Sequence, residues 1–160
     1  MTFTFTDDNA DPNSVAENAA SGVTVGVTAA AVNDVFQPFE GVTEDSISYS
    51  TTSTLFDVNS ATGVITLAGS LDYETDQSHD VIVTATSLDG TSDVATFTIA
   101  VEDVNEAPSI STGATGTVAE NAKTSTVIYN AAASDVDAGD GIAFSVAGAD
   151  SSLVLSLIHI

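Results

Sequence analysis

The chain repeats itself, and this restricts the fold to a small domain that occurs more than once. The pentapeptide Val-Ala-Glu-Asn-Ala occupies residues 15–19 and returns unchanged at residues 118–122, a shift of 103 positions. A second correspondence joins residues 45–50, Asp-Ser-Ile-Ser-Tyr-Ser, with residues 140–145, Asp-Gly-Ile-Ala-Phe-Ser, a shift of 95. The extra residues fall at 109–117, a Gly/Ser/Thr-rich stretch in which insertion costs little. Such repetition is typical of arrays of similar domains.

The repeat predicts three parts. Residues 1–12 are interpreted as the tail of a preceding repeat with its linker, residues 13–106 as one complete unit, and residues 107–160 as the truncated N-terminal part of the next. Residues 155–160, Leu-Ser-Leu-Ile-His-Ile, match a conceptual translation of a transposon-end adaptor used in sequencing libraries. We therefore expect an artefactual C-terminal end and assign no role to His159; the alternative is a genuine apolar β-strand.

Apolar and polar residues alternate over short segments, a pattern typical of β-strands. Turn-forming stretches rich in Gly, Ser and Asp separate these segments. Residues 29–32, Ala-Ala-Ala-Val, are compatible with either a helical turn or a loop. The pattern predicts an all-β chain that folds as an antiparallel sandwich. The predicted strands are residues 23–27, 47–49, 64–67, 81–85 and 94–101, and residues 1–6 alternate in the same way.

An excess of acidic residues limits the classes of partner. There are 23 acids and one base, Lys123, so the formal net charge is −22. This charge argues against nucleic acid and anionic membrane surfaces as partners, and no apolar run approaches the length of a membrane span. The chain has no cysteine, which excludes a disulfide framework and a thiolate metal site. High salt or bound divalent cations would neutralise part of the charge.

Residues 101–108, Val-Glu-Asp-Val-Asn-Glu-Ala-Pro, bring acids and an amide close together and end in a proline. The proline removes a backbone donor and discourages a continuing strand ladder. Crowded carboxylates repel each other unless a cation lies among them, and Ca²⁺ accepts many oxygen ligands in flexible geometry. The segment therefore predicts a calcium-binding linker between two domains.

In order and spacing, the motifs of this chain resemble those of a bacterial cadherin-type tandem repeat. The resemblance covers nearly the whole chain and implies a seven-stranded, Ig-like Greek-key β-sandwich, joined end to end with neighbouring repeats and holding calcium in each joint. The motifs are Glu17, Phe56-Asp57-Val58, Thr62-Gly63-Val64-Ile65, Leu71-Asp72-Tyr73-Glu74, Val83-Thr84-Ala85, the linker Asp103-Val104-Asn105-Glu106-Ala107-Pro108, and Asp135-Val136-Asp137.

The resemblance also implies a set of calcium ligands at the joint after the complete unit, with Asp103 opening the linker motif. The ion nearer the complete unit would take Glu17, Asp72, Glu74 and Glu106. The middle ion would take Glu17, Glu74, Glu106, Asp137 and the Val104 carbonyl. The third ion would take Asn105, Asp135, Asp137 and the Ala107 carbonyl, with the backbone near Asp140. Asp72 with Glu74, and Asp135 with Asp137, are two residues apart, so each pair would share one side of an extended chain.

The other joint of the complete unit departs from the family pattern. Ser87 stands where the family has an acid at the end of a strand, and residues 29–34 are alanine-rich where an Asp-x-Asp pair belongs. Ala10 replaces a linker acid. These departures predict an N-terminal joint that binds calcium weakly or not at all. Glu106, where Asp is usual, keeps the charge.

The resemblance implies a calcium-binding extracellular adhesion module of a multi-repeat surface protein, secreted or membrane-anchored. The implied roles are a calcium-stiffened stalk and homophilic cell-cell adhesion. The implied partners are neighbouring repeats of the same chain, identical molecules on another cell, or a surface glycan. The alternative is a carbohydrate-binding or spacer module of a secreted polysaccharide-acting protein. We expect no enzyme, because the sequence shows no nucleophile–base pair. A glycosidase would need two carboxylates around a sugar-binding cleft, and this chain has no tryptophan and few other aromatic residues to line such a cleft.

Overall fold

The computed structural model describes residues 3–39, 41, 45–113 and 115–148. The chain divides into two compact units, Met1–Val104 and Asn105–Ile160, called here the first and second unit. The repeat boundaries predicted at residues 12 and 106 stay predictions. The predicted artefactual end, residues 155–160, lies outside the described residues.

The first unit is a β-sandwich of two four-stranded sheets, ordered β1-β3-β6-β5 and β2-β8-β7-β4. Neighbouring strands are antiparallel except for β2 and β8, which are parallel. No helix occurs in the described part of the chain, and the prediction of an all-β fold is confirmed. The strands are β1 Phe3–Asp7, β2 Ser14–Ala16, β3 Thr24–Asn33, β4 Ser48–Thr51, β5 Phe56–Val58, β6 Val64–Leu67, β7 Ser78–Thr86 and β8 Ser92–Glu102.

Alternating burial along the strands builds the core between the two sheets. In β7, Val81, Val83 and Ala85 are fully buried, while Ile82 between them faces outward. Successive side chains of a strand point to opposite faces of a sheet, so each strand contributes every second residue to the core. Each fully buried aliphatic side chain of this kind contributes roughly 1.5–3 kcal/mol. The core consists of Val15, Val25, Val27, Ala29, Phe56, Ile65, Leu67, Val81, Val83 and Ile99.

The N-terminal strand changes sheets, so β1 and β2 together form the first of the seven strands of the sandwich. β1 pairs with β3, and β2 pairs with β8. Between them the chain crosses Gly26, where β3 is bulged and φ is +75°. A Cβ atom at Gly26 would lie 1.9 Å from the Pro12 carbonyl oxygen. Only glycine allows this close approach of two backbones.

The prediction of a helical turn or loop at residues 29–32 is wrong, because these residues continue β3. Ala29 is buried, and β1 pairs with this part of β3 in the sheet. The Ala31 amide also donates to the Tyr49 hydroxyl of the other sheet, at 3.0 Å. Tertiary pairing therefore overrides the weak local preference of alanine.

The second unit contains a short antiparallel pair, β9 Ser109–Ile110 with β10 Ala133–Ser134. Several of its large apolar side chains, among them Val118 and Val127, are exposed. The described residues of the chain include no helix long and apolar enough to cross a bilayer.

Candidate metal centre

Glu17 is a buried carboxylate at one end of the first unit, with 9% of its surface exposed. It follows β2, and its amide donates to the Glu102 carbonyl at 3.1 Å. Its Oε1 accepts from the Val104 amide at 2.9 Å, and its Oε2 accepts from the Tyr73 amide at 2.8 Å. Burying a charge is costly unless hydrogen bonds compensate for lost water. The two charge-assisted bonds supply that compensation and hold three separate segments together.

A turn places Glu74 at the same end. The amides of Thr75 and Asp76 donate to the Asp72 carbonyl, at 3.2 and 3.0 Å. The Thr75 amide also donates to Asp72 Oδ1, at 3.2 Å. Within this turn, one carboxylate oxygen of Glu74 comes within 4.8 Å of a Glu17 carboxylate oxygen.

Asp103 completes a group of three acids in the first unit. It directly follows the end of β8, and one of its carboxylate oxygens lies within 4.8 Å of an oxygen of Glu74. Glu17, Glu74 and Asp103 are called here the carboxylate cluster. Two carboxylates about 4 Å apart repel by roughly 1 kcal/mol in water and roughly 4 kcal/mol near a protein surface. A cation among these oxygens would relieve that repulsion.

The expectation that Asp72 and Glu74 share one side of an extended chain is wrong, because residues 73–75 form a turn. Asp72 caps this turn through its carboxylate. The chain is not extended at Asp135 and Asp137 either, because it bends there and the Asp137 amide donates back to Asp135 Oδ1 at 3.2 Å. Short acidic side chains commonly bond to a backbone amide two or three residues on, which bends the chain.

The predicted ligands of the second unit also converge within that unit. The Glu106 amide donates to Asp137 Oδ2 at 2.8 Å, which connects the start of the unit with the bend at Asp135 and Asp137. The Asn105 side-chain amide donates to the Glu106 carbonyl at 2.6 Å. The Asp140 amide donates to the Asp137 carbonyl at 3.4 Å. Ala107 is exposed and offers its carbonyl oxygen.

The donor set suits calcium better than a transition metal. Carboxylate, amide and carbonyl oxygens are the ligands of Ca²⁺, which takes six to eight of them. Each Glu17 oxygen that accepts one backbone amide keeps a second lone pair. Glu17 is therefore held in place by the fold and remains able to bind a cation.

Sequence reasoning missed the two backbone amides that orient Glu17. Tyr73 and Val104 contribute through their N–H groups, and nothing in their side chains signals this. It also missed that Asn33 and Ser87, 7% and 4% exposed, are buried polar residues. The only sequence signal was that Ser87 departs from the family pattern.

Comparison with known proteins gives a consistent result. The family model described as "Cadherin domain" matches residues 11–102. Protocadherin Fat 4 of Homo sapiens is 36% identical over 121 residues, which are 71% of this chain and 2% of that protein. Cadherin-4 of Homo sapiens is 41% identical over 91 residues, which are 52% of this chain and 10% of that protein. The chain thus spans a tenth or less of these two relatives.

Solved structures agree on the fold. The crystal structure of human protocadherin-24 EC1-2 superposes with a TM-score of 0.59 at 24% identity, covering 86% of this chain and 62% of that chain. At this identity the similarity shows the fold alone. The predicted resemblance to cadherin domains is confirmed in sequence and in fold.

Proposed function

Because this chain belongs to the cadherin family, we propose that it is a calcium-binding adhesion module of an extracellular, multi-repeat protein. Cadherin domains are adhesion modules and not enzymes, and family membership therefore confirms the prediction that this module has no catalytic activity. The alternative of a carbohydrate-binding or polysaccharide-associated spacer module is not favoured by relatives that are cadherins.

The carboxylate cluster of the first unit is the observation that carries the calcium proposal. Glu17, Glu74 and Asp103 come from three segments far apart in sequence, and their oxygens approach within 4.8 Å in two pairs, Glu17–Glu74 and Glu74–Asp103. Against a domain stability of roughly 5–15 kcal/mol, repulsion of roughly 1–4 kcal/mol for each pair is a substantial cost. A fold that collects such charge at one end suits a multivalent cation.

The proposed ligands are those of the family pattern, carried onto this chain. In the first unit they are Glu17, Asp72, Glu74, Asp103 and the Val104 carbonyl. In the second unit they are Asn105, Glu106, the Ala107 carbonyl, Asp135, Asp137 and the backbone near Asp140. Support comes from each unit separately, since Glu17 contacts Tyr73 and Val104, and Asp137 contacts Glu106.

Calcium is proposed to stiffen the connection between repeats, which makes the module a link in a stalk. Extracellular calcium modules bind at roughly 10⁻⁴–10⁻³ M, a range that suits tissue fluid or sea water and not cytosol. The proposed location is therefore the cell surface or the extracellular space. Neighbouring repeats are the proposed partners, and homophilic contact between cells is the adhesive role that the family suggests.

Differential scanning calorimetry of the whole chain tests the proposal. About 10 mM calcium is 10–100 times the dissociation constant of an extracellular module, and should stabilise the folded state by about 1.4–2.7 kcal/mol relative to chelator. For a domain of this size the melting temperature should rise by roughly 5–20 °C. Magnesium at the same concentration should act less, because it dehydrates reluctantly and demands octahedral geometry. Equal effects of both ions, or none, would contradict calcium binding.

A further inference from the structure

The end of the first unit away from the carboxylate cluster has a different chemistry. It is formed where β3 and β7 end and β8 begins, whereas the cluster lies after the ends of β2 and β8. Its polar residues are called here the distal cap: Asn33, Asp34, Asp45, Ser87, Asp89 and Thr91.

Ser87 and Asp45 form the first half of the distal cap. The buried Ser87 hydroxyl donates to Asp45 Oδ1 at 2.7 Å. The Leu88 amide donates to the same oxygen at 3.2 Å, and the Asp45 side chain also accepts its neighbour's amide, that of Ser46, at 2.8 Å. One carboxylate oxygen is thus saturated with neutral donors, two of which lie 42 and 43 residues away in sequence.

Asn33, Asp89 and Thr91 form the second half. The Asn33 side-chain amide donates to the Thr91 hydroxyl oxygen at 3.2 Å and to Asp89 Oδ2 at 3.5 Å. Thr91 in turn donates its hydroxyl and its amide to Asp89 Oδ1, at 2.6 and 2.9 Å. The Thr91 hydroxyl bond, followed by the Thr91 amide bond, holds the pKa of Asp89 below its usual value. Asp34, nearby in the chain, accepts from the Thr4 hydroxyl at 2.8 Å.

Asp7, within the predicted linker region of residues 1–12, does not add to the distal cap. Asp7 Oδ1 accepts from the amides of Thr28 and Asn9, at 3.0 and 3.1 Å, beside the middle of β3. Asp7 pairs with Ala29 at the end of β1, as Ile110 pairs with Ala133 in the second unit. Asp7 and Ile110 stand equally far before the repeated pentapeptide. Asp7 therefore occupies a strand position, where a linker acid such as Asp103 would not lie.

We infer that the distal cap keeps its structure without calcium, so that the first unit has one calcium-dependent end and one calcium-independent end. In the carboxylate cluster, oxygens of different carboxylates approach within 4.8 Å of one another; in the distal cap, Asp34, Asp45 and Asp89 each accept hydrogen bonds from a hydroxyl or an amide. To collect six to eight oxygens, a calcium ion would have to break the hydrogen bonds that Asp45 and Asp89 already accept from Ser87 and Asn33. Asp45 Oδ2 is buried without a hydrogen-bond partner among the described residues, but it is one oxygen only.

This inference goes beyond the proposed function and relies on it only for the contrast between the two ends. Its consequence is mechanical. Removing calcium should loosen the end that carries the carboxylate cluster and leave the distal cap ordered. Loss of calcium would therefore change the flexibility of the module at one end only.

Amide hydrogen exchange, read residue by residue by NMR on the whole isotope-labelled chain, tests the inference. The probes are Leu88, Asp89 and Thr91 in the distal cap, and Tyr73 and Val104, whose amides bond to Glu17. Between chelator and about 10 mM calcium, exchange at Tyr73 and Val104 should slow by about tenfold or more. Exchange in the distal cap should change by less than about threefold.

The outcomes separate this inference from the proposed function. If calcium slows exchange at Leu88, Asp89 and Thr91 as much as at Tyr73 and Val104, the calcium-independent end is refuted. If neither end responds, the proposed calcium function fails, while the distal cap still behaves as inferred. Mn²⁺, which accepts the same oxygen ligands, gives a second measurement on a metal-loaded, folded chain. It should broaden the signals of Tyr73 and Val104 and not those of Leu88 and Asp89; broadening at both ends would refute the inference.

A gain-of-function pair isolates the chemical cause. Ser87→Asp places a second carboxylate beside Asp45, and should make exchange at Leu88 about tenfold faster in chelator and slow again in calcium. Ser87→Asn is the matched control, because it has the same size without the charge and should not acquire calcium dependence. If Ser87→Asp remains indifferent to calcium, or Ser87→Asn becomes equally dependent on it, the neutral donor at Ser87 is not the reason for calcium independence.

Discussion

Replacing Glu74 by glutamine should change stability in opposite directions with and without calcium. The substitution keeps the length of the side chain and removes its charge. Glu74 is the member of the carboxylate cluster whose oxygens lie within 4.8 Å of both Glu17 and Asp103. Without calcium the change removes two repulsions within the first unit; with calcium it removes a charged ligand.

The distance sets the size of the effect in chelator. The oxygens lie within 4.8 Å of one another, and two unit charges at that limit repel by about 0.9 kcal/mol in water. Somewhat more than half of this survives at about 0.1 M salt, where the Debye length is about 10 Å. Glu74 belongs to both pairs and is exposed, so the value for water is used for both, as a lower bound for the pair that contains the buried Glu17. Relief of both repulsions should raise the free energy of unfolding of Glu74→Gln by about 1 kcal/mol.

Calcium should reverse the order of the two proteins. The wild type gains about 1.4–2.7 kcal/mol from calcium at 10–100 times its dissociation constant. We expect the neutral side chain to abolish measurable binding, so that Glu74→Gln gains nothing. In calcium the variant should then be less stable than the wild type by about 1 kcal/mol.

Urea unfolding followed by far-ultraviolet circular dichroism, in chelator and in calcium, measures both differences. Asp57→Asn is the matched control, because Asp57 is an exposed acid on β5 and its loss changes the net charge equally. The urea midpoint of Asp57→Asn should differ from that of the wild type in the same direction in chelator and in calcium. A midpoint for Glu74→Gln that moves the same way in both conditions, or an Asp57→Asn variant that behaves identically, would refute the electrostatic reasoning.

Two further predictions concern the crossover strand and the distal cap. Gly26→Ala should lower the free energy of unfolding by more than about 2 kcal/mol, since its Cβ would lie 1.9 Å from the Pro12 carbonyl oxygen. Gly22→Ala is the control, because Gly22 also has a positive φ but has open space around it. It should cost clearly less in the same urea titration, and equal costs would contradict the steric argument. Thr91→Val should raise the pKa of Asp89 toward 3.8. A folded pKa below the usual 3.8 adds stability above about pH 3.8, and this contribution is lost as pH falls through the folded pKa. The variant should therefore be less stable than the wild type above that pH, and the difference should vanish in stronger acid; an unchanged Asp89 titration by NMR would contradict the assigned cause.

The sequence by itself determined the elements whose signal is local. Alternation predicted β6 at residues 64–67 and the central parts of β7 and β8, because every second side chain of a strand enters the core. The spacing of motifs predicted the family, which the family model over residues 11–102 confirms, and the repeated pentapeptide predicts more than one related unit. These properties depend on neighbouring residues, so tertiary structure was not needed to find them.

Only the tertiary structure decided which groups meet. Glu17 binds the amides of Tyr73 and Val104, 56 and 87 residues away, and backbone amides leave no mark in a sequence. Residues 29–32 continue β3 because β1 pairs with them, and Asp7 lies at the end of β1. From the sequence, Ser87 stands where a calcium-binding acid is absent. In the structure, its hydroxyl donates a hydrogen bond to Asp45. Contacts between distant segments depend on how the sheets pack, and sequence periodicity carries no record of that packing.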